Sequence, residues 1–296
     1  MQTHTIRLLL DWTLDAKHAV FTEAQAQGYY REAGISLEIM EPAQKSSMAL
    51  ELLHQGEADL VINYPHNIML MQDRVPGTVS IASLVPSNPE GLLSLKDKGI
   101  TSVMDIPGKR IGVGPSPVSQ AQLEVFLAHN GVPRDAVTWK IVGFEGEKLL
   151  LADEIDLLDA VSYAIPRTIR KGKDVNFISY TQHGLPESPF LVFAARKAWV
   201  EEHHETAVKF LKATAEGYQK VCSWTLADWE RYTGEIPGRN GPEEQEVWEL
   251  TKALMERTKL FHQDIGEVEG LAALLRDKGI LTHEVDCRAL FLNLMS

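Results

Sequence analysis

The chain has 296 residues, of which 44% are hydrophobic, and carries 41 Asp and Glu against 29 Lys and Arg, a formal charge of −12. That length predicts a pair of lobes rather than one core, and the hydrophobic share excludes a disordered or fibrous chain. The acidic balance, without a long basic tract, argues against nucleic acid or an anionic membrane as the main partner, though a local site need not follow the net charge.

Strand and helix patterns alternate from the start, which predicts an α/β fold with largely parallel sheets. Residues 5–10 (TIRLLL) read as a strand. Residues 19–33 carry apolar side chains at helical spacing, and Gly34 stops them as a helix C-cap would. A second strand (36–40) follows, then a helix capped by Ser46 or Ser47 and running to about His54. ADLVIN (58–63) is a third strand, 68–74 a helix, and 79–85 a β-rich run ending at Pro86. A second set of units begins there: strands at 92–96 and within 103–114, a helix over 118–130, strands at 138–144, 157–163 and 175–180, and a short helix at 147–152. FLVFAAR (190–196) is a strong strand. From about 197 the pattern is mainly helical, over 197–224, 225–233, 242–259, 264–278 and 284–294.

The chain thus leaves one α/β unit near 86–91, builds a second, and returns near 184–190. The expected lobes are 1–86 with 190–296, and 91–184, with a cleft where strand-to-helix loops converge. Several polar and aromatic residues fall on such loops. Asp11 and Trp12 follow the first strand, and offer a hydrogen-bond acceptor beside an aromatic platform. His18 sits near a helix start, where a neutral imidazole can donate to a ligand or cap backbone groups. Asn63 and Tyr64 follow the third strand, and Tyr64 suits stacking on a heteroaromatic ring. Gly114, Ser116 and Ser119 form a strand exit opening a helix, whose N–H groups and hydroxyls hold an anion or carbonyl well. The alternative there is an ordinary turn capped by Ser116 or Ser119. Tyr163 ends a strand of the second lobe, and Glu187 in the return crossing suits an exocyclic amine.

Chemistry-bearing motifs are sparse. The two cysteines, Cys222 and Cys287, cannot form a disulfide framework or a zinc site alone. His66 has no partner cluster at ligand spacing, and no nucleophile elbow, HExxH or paired-carboxylate motif is present. The expectation is a binder with no metal and no cofactor. No apolar run reaches the ~18 residues of a membrane span, and no signal peptide is visible, so the protein is either periplasmic after removal of an export signal or cytoplasmic.

Taken together, LLLDWTLDAKHAVFTEAQAQGYYREAGISLEI, GEADLVINYPHNIML and GLLSLKDKGITSVMDIPGKRIGVG resemble the thiamine-precursor group of type II periplasmic binding proteins, across roughly residues 5–220. The resemblance implies two lobes closing on a small heteroaromatic ligand, an aminopyrimidine, with an ABC transporter permease as partner. A riboflavin precursor or a sulfonate is the alternative ligand. The same group includes hydroxymethylpyrimidine-phosphate synthase, which consumes its own active-site histidine and pyridoxal phosphate and requires iron. The resemblance implies a lysine for pyridoxal phosphate where this chain has Asn63, and a cysteine-rich run where this chain reads LPESPF. Both departures disfavour the enzyme.

Overall fold

A computed structural model describes residues 3–42, 48–143 and 145–295. The chain divides into two compact units, Met1–Ser87 with Ser188–Ala272 and His283–Ser296, and Asn88–Glu187 with Ala273–Thr282. Residues 273–282 thus fall with the second unit, where the sequence pattern places them with the first.

The first unit is built on five strands: β1 His4–Leu9, β2 Ile35–Met40, β3 Leu60–Asn63, β4 Thr78–Val85 and β10 Leu191–Arg196, in the order β2-β1-β3-β10-β4. β1 pairs in parallel with β2 and β3, whereas β10 runs antiparallel to both β3 and β4. The sheet is therefore mixed, with its one reversed strand inserted near the middle. The second unit repeats the plan with β5 Glu90–Leu95, β6 Arg110–Val113, β7 Thr138–Ile141, β8 Leu157–Val161 and β9 Val175–Ser179, in the order β7-β6-β8-β5-β9. Here β5 is the reversed strand.

Both sheets are pinned by the same device. Arg7 on β1 forks onto Asp59, which precedes β3, with Nη2 to Oδ1 at 2.8 Å and its own backbone N–H on Oδ2. Arg110 on β6 makes the matching fork to Asp156, which precedes β8, again at 2.8 Å. Bidentate geometry fixes strand register as well as adding charge-assisted bonds.

Phe193 sits at the centre of the first core. Its ring meets Phe21, Phe210 and Phe261 edge-on, with centroids 5.7–5.9 Å apart, the offset arrangement that aromatic quadrupoles favour. The helix Ala19–Gln27 packs on the helix His204–Val221 at Gly217, where a Cβ would stand 2.2 Å from the Val20 carbonyl. Only glycine permits that approach.

Most expected elements form, with shifted ends. The helix read over 19–33 breaks at Gly28, whose φ of 83° ends Ala19–Gln27 before Tyr29–Glu32 begins. The helix placed at 68–74 instead starts at Pro65, which needs no N–H donor at the first helical position, and ends at Leu70. The long helix over 197–224 is interrupted at His203. Of the final helix read over 284–294, only Cys287–Leu290 is helical, because Phe291 bridges to Ser80 of β4. A helix at Ile165–Arg170 was not anticipated. The expected cap at Ser46 or Ser47 lies outside the described residues.

Candidate functional site

In the first unit, adjacent strands β1 and β3 end side by side, and the candidate residues follow those ends. Asp15 caps a turn at Ala16–His18 and accepts from the Lys17 backbone N–H, with the His18 ring reaching back to the Asp15 N–H. The turn is then locked from far along the chain. Glu244 accepts from the Ala16 N–H at 2.7 Å, and the Tyr232 hydroxyl donates to the Asp15 carbonyl at 2.8 Å.

This turn carries a buried charge network. Lys17 Nζ lies 2.8 Å from Asp15 and 3.3 Å from Asp11, while His18 Nε2 lies 2.9 Å from Asp11 and Nδ1 3.1 Å from Asp15. Burial and the Lys17 charge press the His18 pKa down, but Asp15 and Asp11 outweigh them and the net shift is upward. Burial likewise opposes the Asp11 charge, yet Lys17 and His18 hold its pKa below the usual range. His18 is 0% exposed with both ring nitrogens engaged. The ligand-donor role read from sequence for His18 therefore gives way to a positioning one: it orients Asp11. Trp12, next along the same loop, is 40% exposed, an unusual position for a large aromatic ring.

Asn63, the last residue of β3, is only 6% exposed. Its side-chain oxygen accepts from the Tyr64 N–H at 2.7 Å and from Asn67 Nδ2 at 2.8 Å, and its NH2 group has no partner among the described residues. Tyr64 stacks on His66, with centroids 5.2 Å apart and planes 12° from parallel, and meets Phe190 edge-on. Burial drops the His66 pKa to about 4, so this ring is neutral at physiological pH. Tyr64 also lies close enough to Lys17 to act on its charge, which ties the β3 exit to the β1 exit. The loop ends thus bring together a carboxylate, an exposed indole, a stacked phenol and an amide donor.

In the second unit, Ser116 caps the helix Pro117–His129 by accepting from the Val118 N–H at 3.2 Å. Ser119 sits beside Gly114, whose Cβ would fall 3.7 Å from the serine Oγ. Tyr163 is buried in a turn at Ser162–Ala164 rather than ending a strand. Glu187 accepts from the Asn88 N–H at 2.6 Å, so its carboxylate secures the start of β5.

Two acidic residues absent from the sequence reading stand nearby. Glu90 opens β5 and receives the side-chain amides of Asn88 and Gln122, while Asp159 on β8 accepts from the Tyr180 hydroxyl at 2.9 Å and from the Gly114 N–H. Burial raises the pKa of both, and the Glu90 charge adds to the rise at Asp159. Carboxyls in such a setting hold a proton near neutrality. No motif marks them, since Asp159 is a lone polar residue in β8 and Glu90 opens a largely apolar β5.

Neither Asn63 nor Lys17 offers the free amine that an imine with pyridoxal phosphate needs. Asn63 cannot form an imine, and Lys17, ion-paired with Asp11 and Asp15, has its pKa raised despite the opposing effect of burial. Among the described residues no three His, Cys, Asp or Glu side chains are grouped to hold a metal, and no helix is long and apolar enough to cross a membrane.

The formylaminopyrimidine-binding protein of Halalkalibacterium halodurans is 26% identical over 217 residues, 73% of this chain and 66% of the relative, just under two thirds of its length. The 4-amino-5-hydroxymethyl-2-methylpyrimidine phosphate synthase THI11 of Saccharomyces cerevisiae is 30% identical over 254 residues, 81% of this chain and 74% of the relative. Among solved structures, the aliphatic sulphonate binding protein SsuA of Escherichia coli superposes with a TM-score of 0.73 at 14% identity, covering 98% of this chain and 97% of that one. The nitrate-binding protein NrtA of Synechocystis gives 0.68 at 14% identity, covering 97% and 84%. Those likenesses establish a periplasmic-binding-protein fold. The family model described as NMT1/THI5 like matches residues 15–223, and the chain belongs to that family.

Proposed function

We propose that this protein is the solute-binding component of an ABC importer and takes a small heteroaromatic solute, an aminopyrimidine related to thiamine. The observation that carries the reading is the pair of loop ends in the first unit. A buried carboxylate, Asp11, is held ionised by Lys17 and His18 beside an exposed indole, and an unpartnered amide donor, Asn63, stands beside a stacked phenol. An aminopyrimidine offers the complement, N–H donors for Asp11, a ring acceptor for Asn63 and a flat face for Trp12 or Tyr64. In this reading Gly114, Ser116, Ser119, Tyr163 and Glu187 are the second unit's candidate ligand residues. The work place is outside the cytoplasm, with a permease as partner. Isothermal calorimetry with 4-amino-5-hydroxymethyl-2-methylpyrimidine tests the idea. A saturable Kd in the nM to μM range is expected, and no heat at millimolar ligand refutes it.

The second reading is a synthase on the same scaffold, favoured by the 30% identity to the yeast enzyme. Incubation with pyridoxal phosphate separates the two. Binding alone predicts no aldimine absorbance and no borohydride-trapped adduct, and a trapped lysine adduct would favour the enzyme.

A further inference from the structure

Arg196 is the last residue of β10, and it stands with Glu51 and Trp224 as a residue of the first unit with a buried side-chain polar atom lacking a partner among the described residues. Its guanidinium makes no hydrogen bond or ion pair among the described residues, and its Nε is buried without an acceptor. Buried donors in native folds almost always meet a partner, because leaving one unmet forfeits its hydration for nothing. Other arginines show the usual solution: Arg7, Arg74, Arg110, Arg134 and Arg257, for example, each fork or pair onto a carboxylate.

The surroundings of Arg196 form a depression of about 500 Å³ lined by His54, Pro76, Gly77, Lys197 and Glu201. Lys197 adds a second cation. Glu201, the only carboxylate in the lining, pairs with neither among the described residues. His54 contributes no charge, since burial and the nearby Arg196 hold its pKa below the ordinary value. Its Nε2 donates to Thr78 Oγ1 at 2.8 Å, because that hydroxyl is itself spent on the Val75 carbonyl. A Cβ on Gly56 would stand 3.9 Å from Arg196 Nη1, and one on Gly77 would meet nothing within 4 Å, so the cavity is open beside the guanidinium.

The place is separate from the candidate solute site. β10 runs antiparallel to β3, with Val192 opposite Asn63 and Ala195 opposite Leu60, so Arg196 lies past the far end of β3. A strand advances ~3.3 Å per residue, which puts Arg196 more than ~10 Å from the Asn63 end.

We propose that this depression is an oxyanion site, binding a phosphate or carboxylate group with Arg196 as the forked contact and Lys197 as the second cation. A planar guanidinium matches two oxygens of either group, and the lining carries a net charge of one positive unit to favour it. The experiment is a titration of the whole protein with inorganic phosphate, and separately with acetate, at constant ionic strength set by chloride. Calorimetry and the Arg196 Nε–H resonance are the two readouts. Saturable phosphate binding that falls at least tenfold in Arg196→Gln and severalfold in Lys197→Gln supports the proposal, and acetate binding with the same dependence assigns the carboxylate instead. Aminopyrimidine affinity stays within twofold in both variants. Binding of neither anion, binding that survives Arg196→Gln, or an Nε–H resonance that saturating anion leaves unmoved overturns it. The resonance is read in the parent protein, so a variant that fails to fold does not blunt the test.

Discussion

At alkaline pH the second unit is obliged to carry charge that its fold resists. Burial pushes Glu90 up to about 7 from an ordinary 4.5, and burial together with the Glu90 charge raises Asp159 as well. Each tenfold in proton affinity is ~1.4 kcal/mol, so ionising Glu90 in the folded chain costs on the order of 3 kcal/mol. The unfolded chain sheds these protons near pH 4 to 5, while the fold keeps them to near 7. The folded state therefore binds more protons across that window, and stability declines as pH rises through it, with the full penalty present above. Asp159→Asn removes one charge and keeps an oxygen for the Tyr180 hydroxyl and the Gly114 N–H. The variant should match the parent near pH 4.5 and exceed it by ~2 kcal/mol at pH 8.5, because a buried carboxyl that burial and the Glu90 charge hold protonated no longer has to ionise. Urea unfolding at several pH values, followed by tryptophan fluorescence, measures the difference. A gap that does not change with pH, or that grows toward acid, would refute the reasoning.

Three further outcomes rest on other parts of the molecule. His18→Gln should destabilise by about 2–4 kcal/mol, since it strips a buried partner from Asp11 and Asp15. Because the His18 pKa is raised, its contribution is complete below pH 6.5 and fades as pH climbs through the folded value, so the deficit in urea melts should be larger at pH 6 than at pH 9. Trp12→Ala should weaken aminopyrimidine binding by at least ~1 kcal/mol, the scale of base–aromatic stacking, and unchanged calorimetric affinity would remove Trp12 from the site. Gly217→Ala should cost about 1–3 kcal/mol through overpacking, because the new methyl faces a backbone carbonyl that cannot swing aside.

Period and punctuation made much of the architecture legible. The apolar run at β1, the glycine at position 34 and the strand–helix alternation gave two α/β units without any contact information. The loop residues Asp11, Trp12, Asn63 and Tyr64 stand out in the sequence because they fall at expected strand ends, and β1 and β3 do end there. What escaped has a common cause, which is that it depends on pairing across long stretches of chain. The lock on Ala16 by Glu244 joins residues 228 apart, and no local signal announces it. Glu90 and Asp159 each look like a stray polar residue in a strand until β5 and β8 pair. The ion pairs of His18 were hidden for the same reason, since its two carboxylate partners flank it only after the turn at Ala16–His18 forms. The reversed strands β5 and β10 were also hidden, because a buried apolar run carries no mark of direction.

The middle position of β10 has a kinetic consequence. During synthesis β1, β2, β3 and β4 emerge within the first 85 residues, yet the strand that belongs between β3 and β4 arrives about a hundred residues later. Until then two hydrogen-bonding edges stand open, the situation in which chains seek foreign partners. The interval is filled by a contiguous stretch that can complete its own sheet from local material. Ribosome-bound nascent chains ending before residue 190 should therefore protect the second sheet from proteolysis while leaving the first vulnerable. The second sheet, whose five strands are contiguous in the sequence, should thus close before the first, whose earliest strands are made sooner.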